Sequence, residues 1–304
     1  MILRRAPWWS CLALLLATTP AHAAPPGFAF LEVPAGARAS AMGGAYASVA
    51  NGAEAAFWNP AGLAGVEGTQ VTGTHYEFIE NLRHDQFALA GHLFGGGIAS
   101  SLRAMYSQPI EERDDLGNLI GTFGAHDLEF LLGYGRKLAG GTSIGFSGQV
   151  VRERLANLAT TTYAVNGGAA WEPQRIAGSR LSVSAHNLGP AAKYLIDGQD
   201  GRSVNLPAAL QTGASFRHPI AGFAGLAALE TRMTRGRQAV IALGGELSAD
   251  VGASLRMGFR MNDDIANFSA GAGYAHKLYR VDYAFVPSKL GLADTHRFSF
   301  SAQF

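Results

Sequence analysis

The sequence predicts an all-β protein, a transmembrane antiparallel β-barrel of about fourteen strands, preceded by a short N-terminal segment of different character. Three observations carry this expectation. From position 68 onward, stretches of about ten residues alternate apolar with small or polar side chains, and turns separate them. The chain has 39 Gly, 17 Phe and 9 Tyr but only 15% charged residues, a balance that suits short strands and tight turns better than a helical enzyme. Connection lengths alternate between short and long, as expected of short periplasmic turns and longer external loops.

Residues 1–23 read as a cleaved secretory signal peptide. Arg4 and Arg5 form a positive start, 12–16 an apolar core, and Ala21-His22-Ala23 a small-residue cleavage site. The apolar core is too short to cross a bilayer as a helix, so export is expected rather than a retained anchor. Cys11 is the only cysteine and lies in this segment. The mature chain therefore offers no disulfide framework and no thiolate metal site, and no cofactor is expected. No later run of eighteen apolar residues exists, and the net charge of +1 comes from dispersed basic residues, against a nucleic-acid surface. The expected location is the bacterial outer membrane, with its lipid as the first partner.

Residues 24–67 differ from the rest. Positions 28–31 are apolar, and 36–50 are rich in Ala, Gly and Ser, which allows close backbone packing, as a short helix inside a narrow lumen. Then follows Phe57-Trp58-Asn59-Pro60-Ala61-Gly62-Leu63, where Asn before Pro favours a turn.

The barrel is placed at 68–304, with strands at 69–79, 84–94, 97–107, 127–138, 141–153, 161–172, 180–188, 207–217, 223–233, 238–247, 252–261, 267–276, 278–286 and 295–304. Val251, Ala253, Leu255, Met257, Phe259 and Met261 share one face; Ser254, Arg256, Gly258 and Arg260 share the other. In the last strand Phe298, Phe300, Ala302 and Phe304 oppose Arg297, Ser299 and Ser301. A soluble sandwich would alternate too, but its polar face would be charged; here that face is mostly Gly, Ala and Ser, as in a crowded lumen with lipid outside. The two longest connections, 108–126 and 189–206, fall on the side opposite the termini, the external side, whereas Gly95-Gly96, Ala139-Gly140, Ala249-Asp250 and Lys277 turn on the periplasmic side. Terminal Phe304 resembles the signal read by the barrel-assembly machinery, or it simply ends an apolar strand.

Alternation points Arg103, Arg217, Arg232, Arg256, Arg260, Arg280 and Arg297 into the lumen, with Glu129, Glu230, Glu246 and Asp282. The arginine excess would favour anionic groups such as a carboxylate. The alternative, favoured here, is a set of internal ion pairs that stiffen a filled barrel. Catalytic signatures are missing: no Walker loop, no G-x-S-x-G, no H-E-x-x-H, and nine scattered histidines. No enzyme is expected. Gly271-Ala272-Gly273 lies inside an alternating strand, where glycine serves close packing. Asp114-Asp115, Asp197 with Asp200, and Asp263-Asp264 fall in external loops without calcium-loop spacing, and read as solvated.

Phe30-Leu31, Gly36-Ala37-Arg38, Met42-Gly43-Gly44-Ala45-Tyr46 and Trp58-Asn59-Pro60-Ala61-Gly62-Leu63 resemble the N-terminal signature of the PorV/PorQ family, within the FadL-like superfamily of outer-membrane proteins. Leu206-Pro207 with Gly213 is similar as well. The resemblance implies that Trp58, Asn59, Pro60, Ala61 and Gly62 belong to a hatch that plugs the barrel. It implies one of two functions. The first is protein secretion or surface attachment of cargo, as in type IX secretion, with secreted cargo proteins or other secretion components as partners. The alternative is passive transport of hydrophobic small molecules such as long-chain fatty acids.

Overall fold

The structure, a computed structural model, describes residues 26–78, 82–196, 199–289, 291 and 293–304; the expected signal peptide lies outside them. It contains strands β1 (Gln70–Glu77), β2 (Arg83–Leu93), β3 (Gly96–Tyr106), β4 (Ile110–Arg113), β5 (Leu119–Phe123), β6 (Ala125–Lys137), β7 (Thr142–Leu155), β8 (Leu158–Trp171) and β9 (Ser179–Leu188). They are followed by β10 (Ala192–Ile196), β11 (Gln199–Val204), β12 (Ala209–Ile220), β13 (Phe223–Thr234), β14 (Val240–Ser248), β15 (Ala253–Met261), β16 (Phe268–His276), β17 (Tyr279–Val286) and β18 (Thr295–Gln303). Fourteen of these close into one antiparallel barrel, in the order β1-β2-β3-β6-β7-β8-β9-β12-β13-β14-β15-β16-β17-β18 and back to β1. The seam pairs Thr72 with Ser301 and Thr74 with Ser299, so every strand has two neighbours and no edge is left open.

Each of the fourteen expected segments is a strand of this ring. Boundaries move by a few residues: β8 starts at Leu158 because Ala156-Asn157 turns directly into it, and β12 continues through Pro219 to its end, where a missing N–H is tolerated. The two long connections, expected as external loops, each hold a hairpin, β4–β5 and β10–β11. Their strands are short and acidic or mixed in composition, so period two never shows above loop chemistry.

The faces of the wall are inverted relative to a water-soluble sheet. Leu255 (69% exposed), Met257 (63%), Phe298 (53%) and Phe300 (51%) point outward, while Arg256 and Arg297, their neighbours in the strands, are buried inside. An apolar exterior around a polar interior is what a bilayer selects. Short turns at 94–95, 138–141, 221–222, 249–252 and 277–278 gather at the end that also carries Gly68 and Phe304, here the turn end. Both hairpins lie at the opposite, loop end.

The core of the molecule is inside the barrel. Met42, Tyr46, Val49, Trp58 and Leu63 of the N-terminal segment pack together with Leu131 and Leu226 of the wall. A second cluster joins Phe28 and Phe30 to Val151, Ala164 and Leu206.

Candidate functional site

The segment 26–67 is folded inside the lumen and reaches every strand of the ring. It is built of short pieces: one turn at Ala29–Glu32, helices at Ala37–Ala41 and Ala55–Trp58, and a 3-10 stretch at Pro60–Gly65. Small residues make this possible. A Cβ on Gly145 of β7 would overlap the Pro60 carbonyl, and one on Gly258 of β15 would overlap the Gly43 amide. Gly271, read above as a packing glycine, faces Ala41 in the same way.

The Trp58-Asn59-Pro60-Ala61-Gly62 element is the pivot of this plug. Asn59 is fully buried and extended at φ −158°; its Oδ1 accepts from the Ala61 amide at 3.0 Å and its Nδ2 donates to the Ala169 carbonyl of β8 at 3.3 Å. Pro60 opens the following 3-10 stretch, where its lack of an N–H costs nothing. Trp58 Nε1 donates to the Ala35 carbonyl at 3.0 Å, and its ring meets Tyr46 edge-on. Gly62 lies so close to the Ala50 carbonyl that a side chain would not fit.

Irregular backbone in a dry lumen leaves N–H and C=O groups without partners, and the wall supplies them. Glu230 accepts the amides of Tyr46 (2.9 Å) and Ala47 (2.6 Å) and a proton of Gln211 (2.9 Å). Arg103 pairs with Glu129 at 3.0 Å, donates to the Leu31 carbonyl at 3.1 Å and sits over the Phe57 ring. Arg297 donates to Ser40 Oγ at 2.8 Å and covers the Tyr76 ring. Glu246 receives Arg38 in a bidentate clasp of 2.8 and 2.7 Å and also pairs with Arg256. Arg256 continues to Asp282 at 2.8 Å, which Arg280 meets at 2.8 Å. The chain of charges therefore runs from the plug into β14, β15 and β17.

Three of the residues expected in the lumen stand apart from this network. Arg217 is exposed: it shares the inward parity of Ser215, but it sits toward the turn end of β12, two residues past Ser215, which bonds the plug at Ser48. Arg260 pairs with Asp263 at 3.0 Å at the mouth of a cavity. Arg232 lines the same cavity; its Nε has no hydrogen-bond partner among the described residues, and Glu32 and Glu230 are the carboxylates whose charge acts on it. Two participants escaped the sequence reading. Arg38 was visible only as part of a motif, with nothing to pair it to Glu246, 208 positions away. Arg180 opens its strand with the parity of Ser184 and donates to the Ala50 carbonyl at 3.3 Å; that parity was the available signal.

The cavity has a volume of about 550 Å³ and opens at the loop end, between the connections 235–239 and 262–267 and the residues Ser288 and Ala293. Gly43, Gly44 and Trp58 of the plug form its floor; Val33, Pro34, Val240, Ile265 and Val286 make much of its wall apolar. Its size falls within the roughly 300–1,000 Å³ of small-molecule sites. The acidic loop residues act locally: Asp114 accepts from Leu116 and Asn118, which holds its carboxyl below the usual range, and Asp263 caps Ile265 and Ala266. Asp197 lies outside the described residues. No metal-ligating cluster occurs among the described residues.

No family model matches the sequence, and no curated protein matches it. Solved structures do. The toluene transporter TodX of Pseudomonas putida superposes with a TM-score of 0.61 at 12% identity, over 88% of this chain and 98% of that one. The chain has the FadL-type barrel fold. A Pseudomonas aeruginosa FadL homologue gives a TM-score of 0.57 at 12% identity, over 88% of this chain and 97% of that one. The monoaromatic hydrocarbon channel CymD gives 0.60 at 14% identity, with the same coverage of both chains as the FadL homologue. At such identities the shared property is the fold.

Proposed function

We propose that this protein is an outer-membrane channel admitting hydrophobic small molecules, with residues 26–67 as a hatch that must yield for passage. The observation that carries the reading is the half-open, largely apolar cavity at the loop end, floored by the plug and not by the barrel wall. A ligand entering from the loop end would rest on Trp58 and Gly43-Gly44, and any route onward requires displacement of the plug. Transport by the structures of similar fold, TodX and CymD among them, agrees with this reading. The test is uptake of a long-chain amphiphile into cells with and without the barrel, with fractionation to place the protein in the outer membrane. Uptake should depend on the barrel and fall when the Asn59-Pro60 turn is disrupted; identical uptake without the barrel rules the channel out.

A second reading, support of protein secretion or surface attachment of cargo, is favoured by one feature. The β4–β5 hairpin carries exposed Ile110, Leu116, Leu119 and Ile120 beside Glu111 and Glu112 at the loop end. Deleting 110–123 separates the readings: a channel keeps its uptake, whereas a cargo-engaging barrel loses display of its surface proteins.

A further inference from the structure

The outer surface of the wall is uneven in charge at the loop end. On β1 and β2 the outward charges stand in pairs, His75 with Asp85 at 2.6 Å and Arg83 with Glu77 at 3.5 Å. On β6, β7 and β8 they do not. Strand parity turns His126, Arg152 and Arg154 outward, and no carboxylate among the described residues of these three strands shares that face. Glu153 has the opposite parity and accepts from Tyr194 and the Phe28 amide on the inner side. Arg154 spends its Nε on the Ala156 carbonyl at 3.1 Å. Arg152 is exposed and makes no hydrogen bond or salt bridge with a described residue.

Beside Arg152 lies an open groove of about 500 Å³. It exists because β8 outruns its neighbour. The ladder to β9 starts only at Val165, and past Gly189-Pro190 the chain leans inward. There Thr160 and Thr162 donate to the Lys193 and Pro190 carbonyls at 2.8 and 3.3 Å, and Ala192 joins Phe28 and Phe30 inside. The space left on the outer side is lined by Arg152, Thr161, Tyr163, Pro190 and Lys193. Strand geometry sets its height. Trp171, whose Nε1 donates to the Gly140 carbonyl at the turn end, shares the outward face of β8 with Thr161, ten residues away. A strand tilted by about 40° rises about 25 Å over that length, the height of the apolar band of such a barrel. Arg152 pairs with Thr161 and so stands at the boundary of the hydrocarbon on the side of the long loops, above Val150, Tyr163 and Val165.

We propose that this outward groove binds a phosphorylated glycolipid of the outer leaflet, with its phosphate on Arg152 and Arg154. A guanidinium is a rigid fork of donors that fits two oxygens of one phosphate, and at this height the anions beside the wall are lipid headgroups. The groove is much larger than a phosphate and takes the sugar that carries it, between Thr161 and Pro190. The acyl chains lie down the apolar wall along Val150, Tyr163 and Val165, all outward and exposed. The site is on the far side of the wall from the lumen, so it stands whether the barrel passes small molecules or engages cargo.

The test is native mass spectrometry of the full chain in detergent, titrated with hexa-acylated diphosphoryl lipid A and with the same lipid stripped of its phosphates. Wild type should retain the phosphorylated lipid over the stripped one by roughly ten- to hundredfold, the range of a hydrogen bond to a charged group. Arg152→Gln with Arg154→Gln should remove that preference and leave binding of the stripped lipid unchanged. Arg152→Lys, which keeps the charge but not the fork, should keep several-fold of it. Arg136→Gln, the same change of charge on the outward face of β6 at the turn end, should alter nothing. Equal retention of both lipids by wild type overturns the site, as does a preference that survives the double substitution or is lost equally in Arg136→Gln. Retention of dioleoyl phosphatidylglycerol as strong as that of lipid A overturns the sugar contact, and displacement by equimolar inorganic phosphate reassigns the groove to the free ion and overturns the lipid. Heat-modifiable mobility of each variant on gels confirms that the barrel has closed.

Discussion

Replacing Glu246 by Gln should loosen the hatch without opening the barrel. Among the described residues Glu246 is the only carboxylate that receives Arg38, through bonds of 2.8 and 2.7 Å, and it also neutralises Arg256. The substitution therefore leaves two arginines poorly matched: Arg38 loses its bidentate partner, and Arg256 keeps only Asp282 at 2.8 Å. Removing one partner of a buried pair costs about 3–5 kcal/mol. Strand pairing is backbone hydrogen bonding and is untouched, so the loss falls on the contact between plug and wall. At tenfold per 1.4 kcal/mol, the displaced hatch should become more populated by roughly two to three and a half powers of ten. Arg38→Met should do less, about 1–3 kcal/mol, because Glu246 retains Arg256 and lies 3.8 Å from Arg280. Planar-bilayer conductance is the assay, with limited proteolysis of 26–67 as the independent reading. Wild type should be closed for most of the record, Arg38→Met should open rarely and Glu246→Gln often, with unchanged barrel mobility on gels. Equal conductance and equal protection in all three proteins would refute the latch, and a reversed order would refute the count of remaining partners.

Three further outcomes follow from the same geometry. Gly145→Val places a side chain where the Pro60 carbonyl sits; at an overpacking cost of about 1–3 kcal/mol it should expel the hatch from β7, read as new protease cleavage within 26–67 and an intact barrel. Asn59→Ala removes the cap on Ala61 and the bond to Ala169, and should cost about 0.5–2 kcal/mol in thermal unfolding of the plug, with native migration of the barrel as the control. Met257→Arg puts a charge at the middle of the outward face of β15 and should cost about 2–4 kcal/mol in urea-dependent folding into vesicles; no cost there would argue that this face does not meet hydrocarbon.

Much of this protein was legible in its residues because period two is a local property. Any stretch such as Leu255, Met257 and Phe259 against Arg256 and Arg260 shows its two faces without knowledge of a neighbour, and the spacing of turns then fixes how many strands there are and which ends the long loops share. The small-residue character of 36–50 and the Asn59-Pro60 turn likewise marked a segment made for close packing. Pairing across the lumen is different. Arg38 meets Glu246, and Ala37 meets Ser299, only because the ring closes and the N-terminal segment folds back into it, and no local pattern encodes a contact 208 or 262 positions away. The same closure decides which inward arginines are consumed: parity assigned seven of them to the lumen alike, yet Arg103, Arg256 and Arg297 grip the plug or its partners, Arg217 sits exposed toward the turn end, and Arg232 faces open space. Sequence set the faces of the wall, since hydrocarbon outside and a crowded interior act on each residue separately. Tertiary structure decided which buried charges found partners, since that depends on distances between elements far apart in the chain.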